Sequence, residues 1–182
     1  MNWEVEYVLK KLVKAGLRVC KDKCEFCCSQ VRYLGYSLDE KSLRPDSDRI
    51  APIVKYPIPR TLKALRRSLG MVGYYARFLK RDSEIKVPLT KLLRKDQPYV
   101  WGDEQQEAFD ALKEAVTSAS VLPRPEFSKP FRIQADTSGL SIAVVLTQLG
   151  EDYEHPIVFS SRILTDAKKN YTVAQLGCLA VI

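Results

Sequence analysis

The spacing of apolar positions divides the chain into helical and strand-like stretches. Val5, Val8, Leu9, Leu12, Val13 and Leu17 recur at helical intervals with lysines opposite, which predicts an amphipathic opening helix, and Gly16 stands where its C-cap would fall. Val31 to Leu38 is rich in β-formers, and the polar run Asp39 to Ser42 predicts a turn after it. Cys24 to Cys27 reads as a further short strand. Pro52, Pro57 and Pro59 break the chain before a second helix, Thr61 to Leu79, with Thr61 as its N-cap. Leu62, Leu65, Leu69, Val72 and Phe78 fall near one face of that helix. A shorter helix is expected at Val87 to Leu93, with Pro88 in its first turn. Trp101-Gly102-Asp103 opens another, whose apolar stripe is Ala108, Phe109, Leu112 and Val116.

From Pro130 the period changes. Phe131 to Asp136 alternates as a strand does, and Ile142 to Leu146 and Pro156 to Ser160 read as two more. Val173 to Ile182 reads as the start of a helix that stops on an apolar run without a C-terminal signal. The chain is therefore expected to be a piece of something longer.

Composition narrows the classes. With 46% hydrophobic and 28% charged residues, the 182-residue chain is neither disordered nor collagen-like. No apolar run approaches the roughly 20 residues of a membrane-spanning helix, and the glutamates among the first residues exclude a signal peptide. Five cysteines, four of them crowded between Cys20 and Cys28, argue against a secreted disulfide framework and for a reducing, intracellular compartment.

Charge adds an asymmetry. Residues 1–95 hold 22 Lys+Arg against 10 Asp+Glu, a net +12, whereas residues 96–182 hold 7 against 12, a net −5. Two units with different tasks are expected, divided at 95/96, the first favouring a polyanion such as nucleic acid. A solvated lysine-rich surface would give the same sum, so charge alone leaves the two open.

The cysteine group Cys20, Cys24, Cys27 and Cys28 invites a zinc reading. A structural zinc site takes four ligands, usually as two separated pairs. The lone histidine, His155, and the remaining Cys178 lie in the other half of the chain, so core packing is the plainer reading.

Several segments, taken in order, resemble the pol polyprotein of gypsy-type LTR retrotransposons. Lys23-Cys24-Glu25-Phe26 and Tyr33-Leu34-Gly35-Tyr36 resemble the part of reverse transcriptase just past the polymerase active site. Leu69 to Phe78, with Gly70, Gly73, Tyr74 and Tyr75 at Gly-x-x-Gly-Tyr-Tyr spacing, is similar to the thumb. Pro88 to Leu93, Trp101, Ala108-Phe109 and Leu112-Lys113 resemble the connecting region. Pro130-Phe131, Asp136-Thr137-Ser138, Val145 to Gln148, His155-Pro156-Ile157, Ser161-Arg162 and Asn170-Tyr171 resemble the start of an RNase H domain. Each motif is weak; their collinearity over nearly the whole chain is not.

The resemblance implies an α+β fold in two parts. Residues 1–95 would be a palm remnant with a helical thumb, and 96–182 a connecting helix with a partial RNase H-like mixed sheet, one edge unpaired. It implies descent from an RNA-directed DNA polymerase with ribonuclease H, that is, a nucleotidyltransferase joined to an endonuclease. The implied partners are an RNA–DNA or DNA duplex and the remaining segments of a pol polyprotein, with no membrane. The alternative is a non-catalytic nucleic-acid-binding remnant of a mobile element.

It also implies sites. Tyr33, Gly35 and Tyr36 would form the hairpin that positions a primer terminus, glycine allowing close approach and tyrosine stacking. Arg66, Gly70 and Tyr74, at i, i+4 and i+8, would share a helix face along a minor groove, with Arg60, Lys63, Arg67 and Arg77 on the phosphates. A solvated basic face with packed tyrosines is the plain alternative. Asp136 would be the first carboxylate, and a metal ligand, of the set that binds two Mg²⁺ in RNase H domains. Gly177 stands where the second is a glutamate, Gln175 replaces another common glutamate, and Ala143 a usual glycine. No Asp-Asp dipeptide occurs, so the polymerase carboxylates are absent from these residues. Mg²⁺ in the parent family is therefore expected to find no stable site in this chain.

Overall fold

The computed structural model describes residues 3–150 and 153–181. Helix α1 spans Trp3–Lys14. It ends as its glycine dictates: Gly16 takes φ +72°, and the Leu17 N–H reaches back to the Leu12 carbonyl at 3.0 Å. No residue of α1 is buried, and Trp3 is 73% exposed, so the apolar face foreseen from its spacing is left uncovered among the described residues. The strand expected at Cys24 to Cys27 does not form. Cys27 is at φ +54°, a left-handed conformation that a strand cannot hold.

Strands β1 (Gln30–Tyr33) and β2 (Tyr36–Asp39) form an antiparallel hairpin with Tyr33 opposite Tyr36. Its two-residue loop puts both Leu34 and Gly35 at positive φ, +48° and +75°, the arrangement that matches the twist of paired strands. β3 (Ser42–Pro45) follows through a turn held by Asp39, whose carboxylate accepts the N–H groups of Lys41 at 2.9 Å and Ser42 at 2.6 Å.

Helix α2 (Ser47–Val54) is capped by Asp46, which accepts the Asp48 N–H at 3.2 Å. It lies where Pro52 reads as a breaker. The proline removes a bond only from the carbonyl of Asp48, at the exposed first turn where solvent can serve it, so the short helix survives. Thr61 caps α3 (Leu62–Gly73) as foreseen, accepting the Ala64 N–H at 3.2 Å. The helix stops at Gly73 rather than Leu79, and a 3-10 turn at Ala76–Phe78 carries the chain on. Leu65, Val72 and Phe78 are buried from its apolar face, whereas Leu62, in the first turn, is exposed.

Two short helices, α4 (Asp82–Ile85) and α5 (Val87–Lys91), precede α6 (Asp103–Thr117), whose stripe Ala108, Phe109, Leu112 and Val116 is buried in full. α6 packs against α2 and α5, and strand β4 (Leu122–Pro123) pairs with β3. One core therefore runs from Ile53 through Leu65, Phe78 and Leu89 to Leu112 and Leu122. It crosses residue 95, the point where the charge changes sign.

Strands β5 (Phe131–Thr137), β6 (Ser141–Leu149) and β7 (Glu154–Ile163) make a second sheet in the order β5-β6-β7. Helix α7 (Val173–Val181) packs on β5 and β6 over a small core of Ile142, Leu164 and Leu176, while Ile182 lies outside the described residues. The α+β class stands. The expected mixed sheet is antiparallel over the strands described, because successive strands joined by short connections can only turn back on themselves. The outer edge of β5 has no strand beside it among the described residues, and Ile133 is exposed there.

Candidate nucleic-acid interface and the Asp136 region

The hairpin is fastened to the end of α3 by tyrosines. The Tyr75 hydroxyl donates to the Gly35 carbonyl at 3.3 Å, the Tyr74 hydroxyl to the Leu34 carbonyl, and the Tyr36 hydroxyl to the Tyr74 carbonyl at 3.2 Å. The Leu34 carbonyl is thus satisfied by a side chain from the end of α3, while the Gly35 carbonyl accepts both the Tyr75 hydroxyl and the Asp46 N–H, the latter at 3.1 Å. A side chain at Gly35 would stand 3.4 Å from both the Tyr74 ring and the Tyr75 hydroxyl, so the glycine serves close approach as well as positive φ. Burial raises the hydroxyls of Tyr36 and Tyr75 above the ordinary tyrosine range and keeps them neutral donors.

Of the hairpin residues singled out above, Tyr33 is exposed, while Tyr36 is half-buried with its ring against Tyr74, Tyr75 and Phe78. Tyr75 is the buried member of the tyrosine pair, 4% exposed, and Tyr74 the exposed one.

The α3 face is built differently. Arg60, Lys63, Arg66, Arg67, Gly70 and Arg77 are all exposed. Among the described residues none of these five cations takes part in an ion pair, although Arg32, Arg44, Arg81, Arg132 and Lys169 all do. A methyl group added at Gly70 would meet nothing within 4 Å. No internal packing requires that glycine. Arg67, Gly70 and Tyr74 also line an open groove of about 450 Å³ shared with α2. A row of unpaired cations around a smooth, side-chain-free patch is suited to a polyanion that lies close to the backbone.

Asp136 lies on β5, in register with Ala143 of β6 and, through it, Ser161 of β7. Its carboxylate is exposed and pairs with the Arg81 guanidinium, a contact that sequence reasoning missed. Arg81 sits at φ +52° just before α4, and no local pattern marks an arginine for that conformation. Around it α4 is tied to the sheet. Glu84 accepts the hydroxyls of Ser141 at 2.7 Å and Ser138 at 3.0 Å, and the Ser161 hydroxyl donates to buried Asp82 at 2.7 Å.

At this point the Asp136 carboxylate faces a cation rather than a cluster of anions. Among the described residues no three His, Cys, Asp or Glu side chains converge to hold a metal. Asp136 shares the Arg81 guanidinium with Glu84, which stands 3.8 Å from it, and Gly177 offers no side chain. Two divalent ions need several anions around them. The cysteines are not core as expected: Cys20, Cys27 and Cys28 are exposed and Cys24 half-buried, all free.

Comparison with known proteins agrees with this architecture. Residues 101–182 match the family described as the RNase H-like domain found in reverse transcriptase. The Transposon Tf2-3 and Tf2-4 polyproteins of Schizosaccharomyces pombe are each 34% identical over 98% of this chain. The chain spans 13% of the length of those relatives. Among solved structures, the foamy viral protease-reverse transcriptase in complex with RNA/DNA hybrid covers 97% of this chain at TM-score 0.84 and 23% identity, with 24% of its own length matched. The same viral protein in complex with double-stranded DNA gives TM-score 0.83 over 97% of this chain and 31% of its own. That likeness is one of fold. The class defined by fold and sequence is a reverse-transcriptase segment continuing into an RNase H-like domain. The chain belongs to the retrotransposon pol polyproteins.

Proposed function

We propose that this chain grips an RNA–DNA or DNA duplex through the α3 face and the β1–β2 hairpin, and performs neither polymerisation nor RNA cleavage by itself. The observation that carries the reading is the row Arg60, Lys63, Arg66, Arg67 and Arg77, exposed and without acidic partners among the described residues, around the open surface of Gly70. The cations would hold phosphates, which fixes position without reading sequence. The hairpin, with Tyr33 and Gly35 at its turn and Tyr36 and Tyr74 anchoring it, would set where the duplex stops. The foamy viral relatives of this fold are described as bound to such duplexes, which supports the partner class. The basic residues 1–95 would be the gripping unit and 96–182 the junction to RNase H, even though they share a core. The Mg²⁺ of the parent family would be held by carboxylates of other polyprotein segments, with Asp136 as this chain's one contribution.

The test is fluorescence anisotropy of a labelled hybrid across a salt series. Binding should be weak, indifferent to sequence and steeply weakened by salt as counterions are released. Replacing Arg66 and Arg67 with alanine should weaken it on every sequence alike. Salt-independent binding, or no binding at low salt by folded protein, would overturn the reading.

A further inference from the structure

We infer that Arg49, on α2, is a further phosphate-binding residue that holds the nucleic-acid backbone where it passes from the α3 face to the hairpin; this rests on the duplex-binding reading above. Arg49 is exposed and lines the groove between α2 and α3 together with Pro52, Arg67, Gly70, Met71 and Tyr74. Its side-chain Cγ lies 3.9 Å from where a side chain at Gly35 would begin, so this cation stands beside the hairpin turn while Arg67 stands on the thumb side.

Among the described residues Arg49 has no acidic partner to explain it. The two nearest acids in sequence are already engaged: buried Asp46 caps α2 through the Asp48 N–H, and the Asp48 carboxylate pairs with Arg32. Among the described residues no Asp or Glu lines the groove. Two guanidinium groups on one groove without an intervening anion repel each other, and a phosphate between them relieves that repulsion. The rest of the lining, Pro52, Ile53 and Met71, is apolar and suits the sugar faces that alternate with phosphates along a strand. Guanidinium is the fitting group, since its planar fork can grip two phosphate oxygens at once.

The experiment compares wild type, Arg49→Ala, Arg49→Lys and Arg67→Ala on RNA–DNA hybrids of two unrelated sequences, with thermal unfolding as the fold control and Arg49→Gln in reserve should the alanine variant unfold. Arg49→Ala should lower affinity equally on both sequences and reduce the slope of log K against log salt by about 0.9, one phosphate's worth. Arg49→Lys should keep that slope and lose part of the affinity. Single methylphosphonate linkages should then reveal one position that weakens wild type but not Arg49→Ala. If Arg67→Ala weakens binding while Arg49→Ala leaves both affinity and slope unchanged, the assignment of Arg49 is wrong and the thumb reading stands. If wild type shows no salt-dependent binding, the thumb reading fails first and this inference with it.

Discussion

The ring of Tyr36 lies flat against that of Tyr74, with 5.2 Å between centroids and 10° between planes, and its hydroxyl returns to the Tyr74 carbonyl at 3.2 Å. Tyr75 closes the group edge-on, 6.0 Å from Tyr36 and 5.1 Å from Tyr74. A hairpin from before α2 and the end of α3 are thereby joined as one piece, so a duplex gripped along α3, as proposed, would be held in register with the hairpin turn.

Stability should report that coupling. Tyr36→Phe removes one hydrogen bond and should cost about 1 kcal/mol. Tyr36→Ala also loses the stacked and edge contacts of a half-buried ring, and should cost about 2 to 3 kcal/mol. Denaturant unfolding followed by tyrosine fluorescence checks both. Equal midpoints for the two variants would mean that the ring stack contributes nothing.

Two glycines should answer oppositely. Gly35→Ala meets positive φ and a tyrosine cluster 3.4 Å away, and should destabilise the fold by about 1 to 2 kcal/mol. Gly70→Ala adds a methyl to an open helix face and should stabilise the fold by about 0.5 to 1 kcal/mol. If a duplex lies against that face, the same Gly70→Ala change weakens hybrid binding. A variant more stable than wild type and yet weaker in binding would separate interface from fold; unaltered binding would remove Gly70 from the interface.

The turn after β2 should set an acid response. The Ser42 hydroxyl first, then the Lys41 N–H, hold the Asp39 pKa down to about 2, below its ordinary 3.8. A carboxylate depressed on folding contributes stability that is present above its unfolded pKa and lost as pH falls through its folded one. The window is therefore from just under pH 4 to about 2. Asp39→Asn should flatten the decline of stability in that interval and leave the neutral region's pH dependence unchanged. An identical acid limb in both proteins would show that the turn does not titrate.

Most of this fold was legible from spacing. Thr61 before Leu62, the stripe Ala108-Phe109-Leu112-Val116 and the alternation from Phe131 are local signals, and the structure follows each. What was not legible depended on contacts distant in sequence. α2 forms in spite of Pro52 because the core takes up Ile53, α6 packs on α2 and α5, and β4 pairs with β3, none of which charge or periodicity records. The candidate interface came from the resemblance, since exposed arginines look alike in a sequence whether paired or not. The Arg81–Asp136 contact spans 55 positions and rests on a left-handed residue, so no window of sequence contains it.

That contact leads to the expectation about chemistry. The chain should neither extend a primer nor cleave the RNA of a hybrid with Mg²⁺ or Mn²⁺, because it carries no Asp-Asp pair, and Gly177 gives Asp136 no helix partner where several carboxylates are required. Gly177→Glu should not restore cleavage, since Asp136 would still be paired with the Arg81 cation and two metals need several converging carboxylates. It should nevertheless be well tolerated. Gly177 lies within α7, a side chain there meets nothing within 4 Å, and replacing a helical glycine should raise stability by about 0.5 to 1 kcal/mol. The measurement is a labelled RNA–DNA hybrid incubated with wild type, Asp136→Asn, Arg81→Ala and Gly177→Glu, beside the melting temperature of each. All four should leave the RNA intact, with Gly177→Glu melting highest. Metal-dependent cleavage by wild type that vanishes in Asp136→Asn would reverse the conclusion, because another chain would then have to supply the missing carboxylates and draw Asp136 away from Arg81.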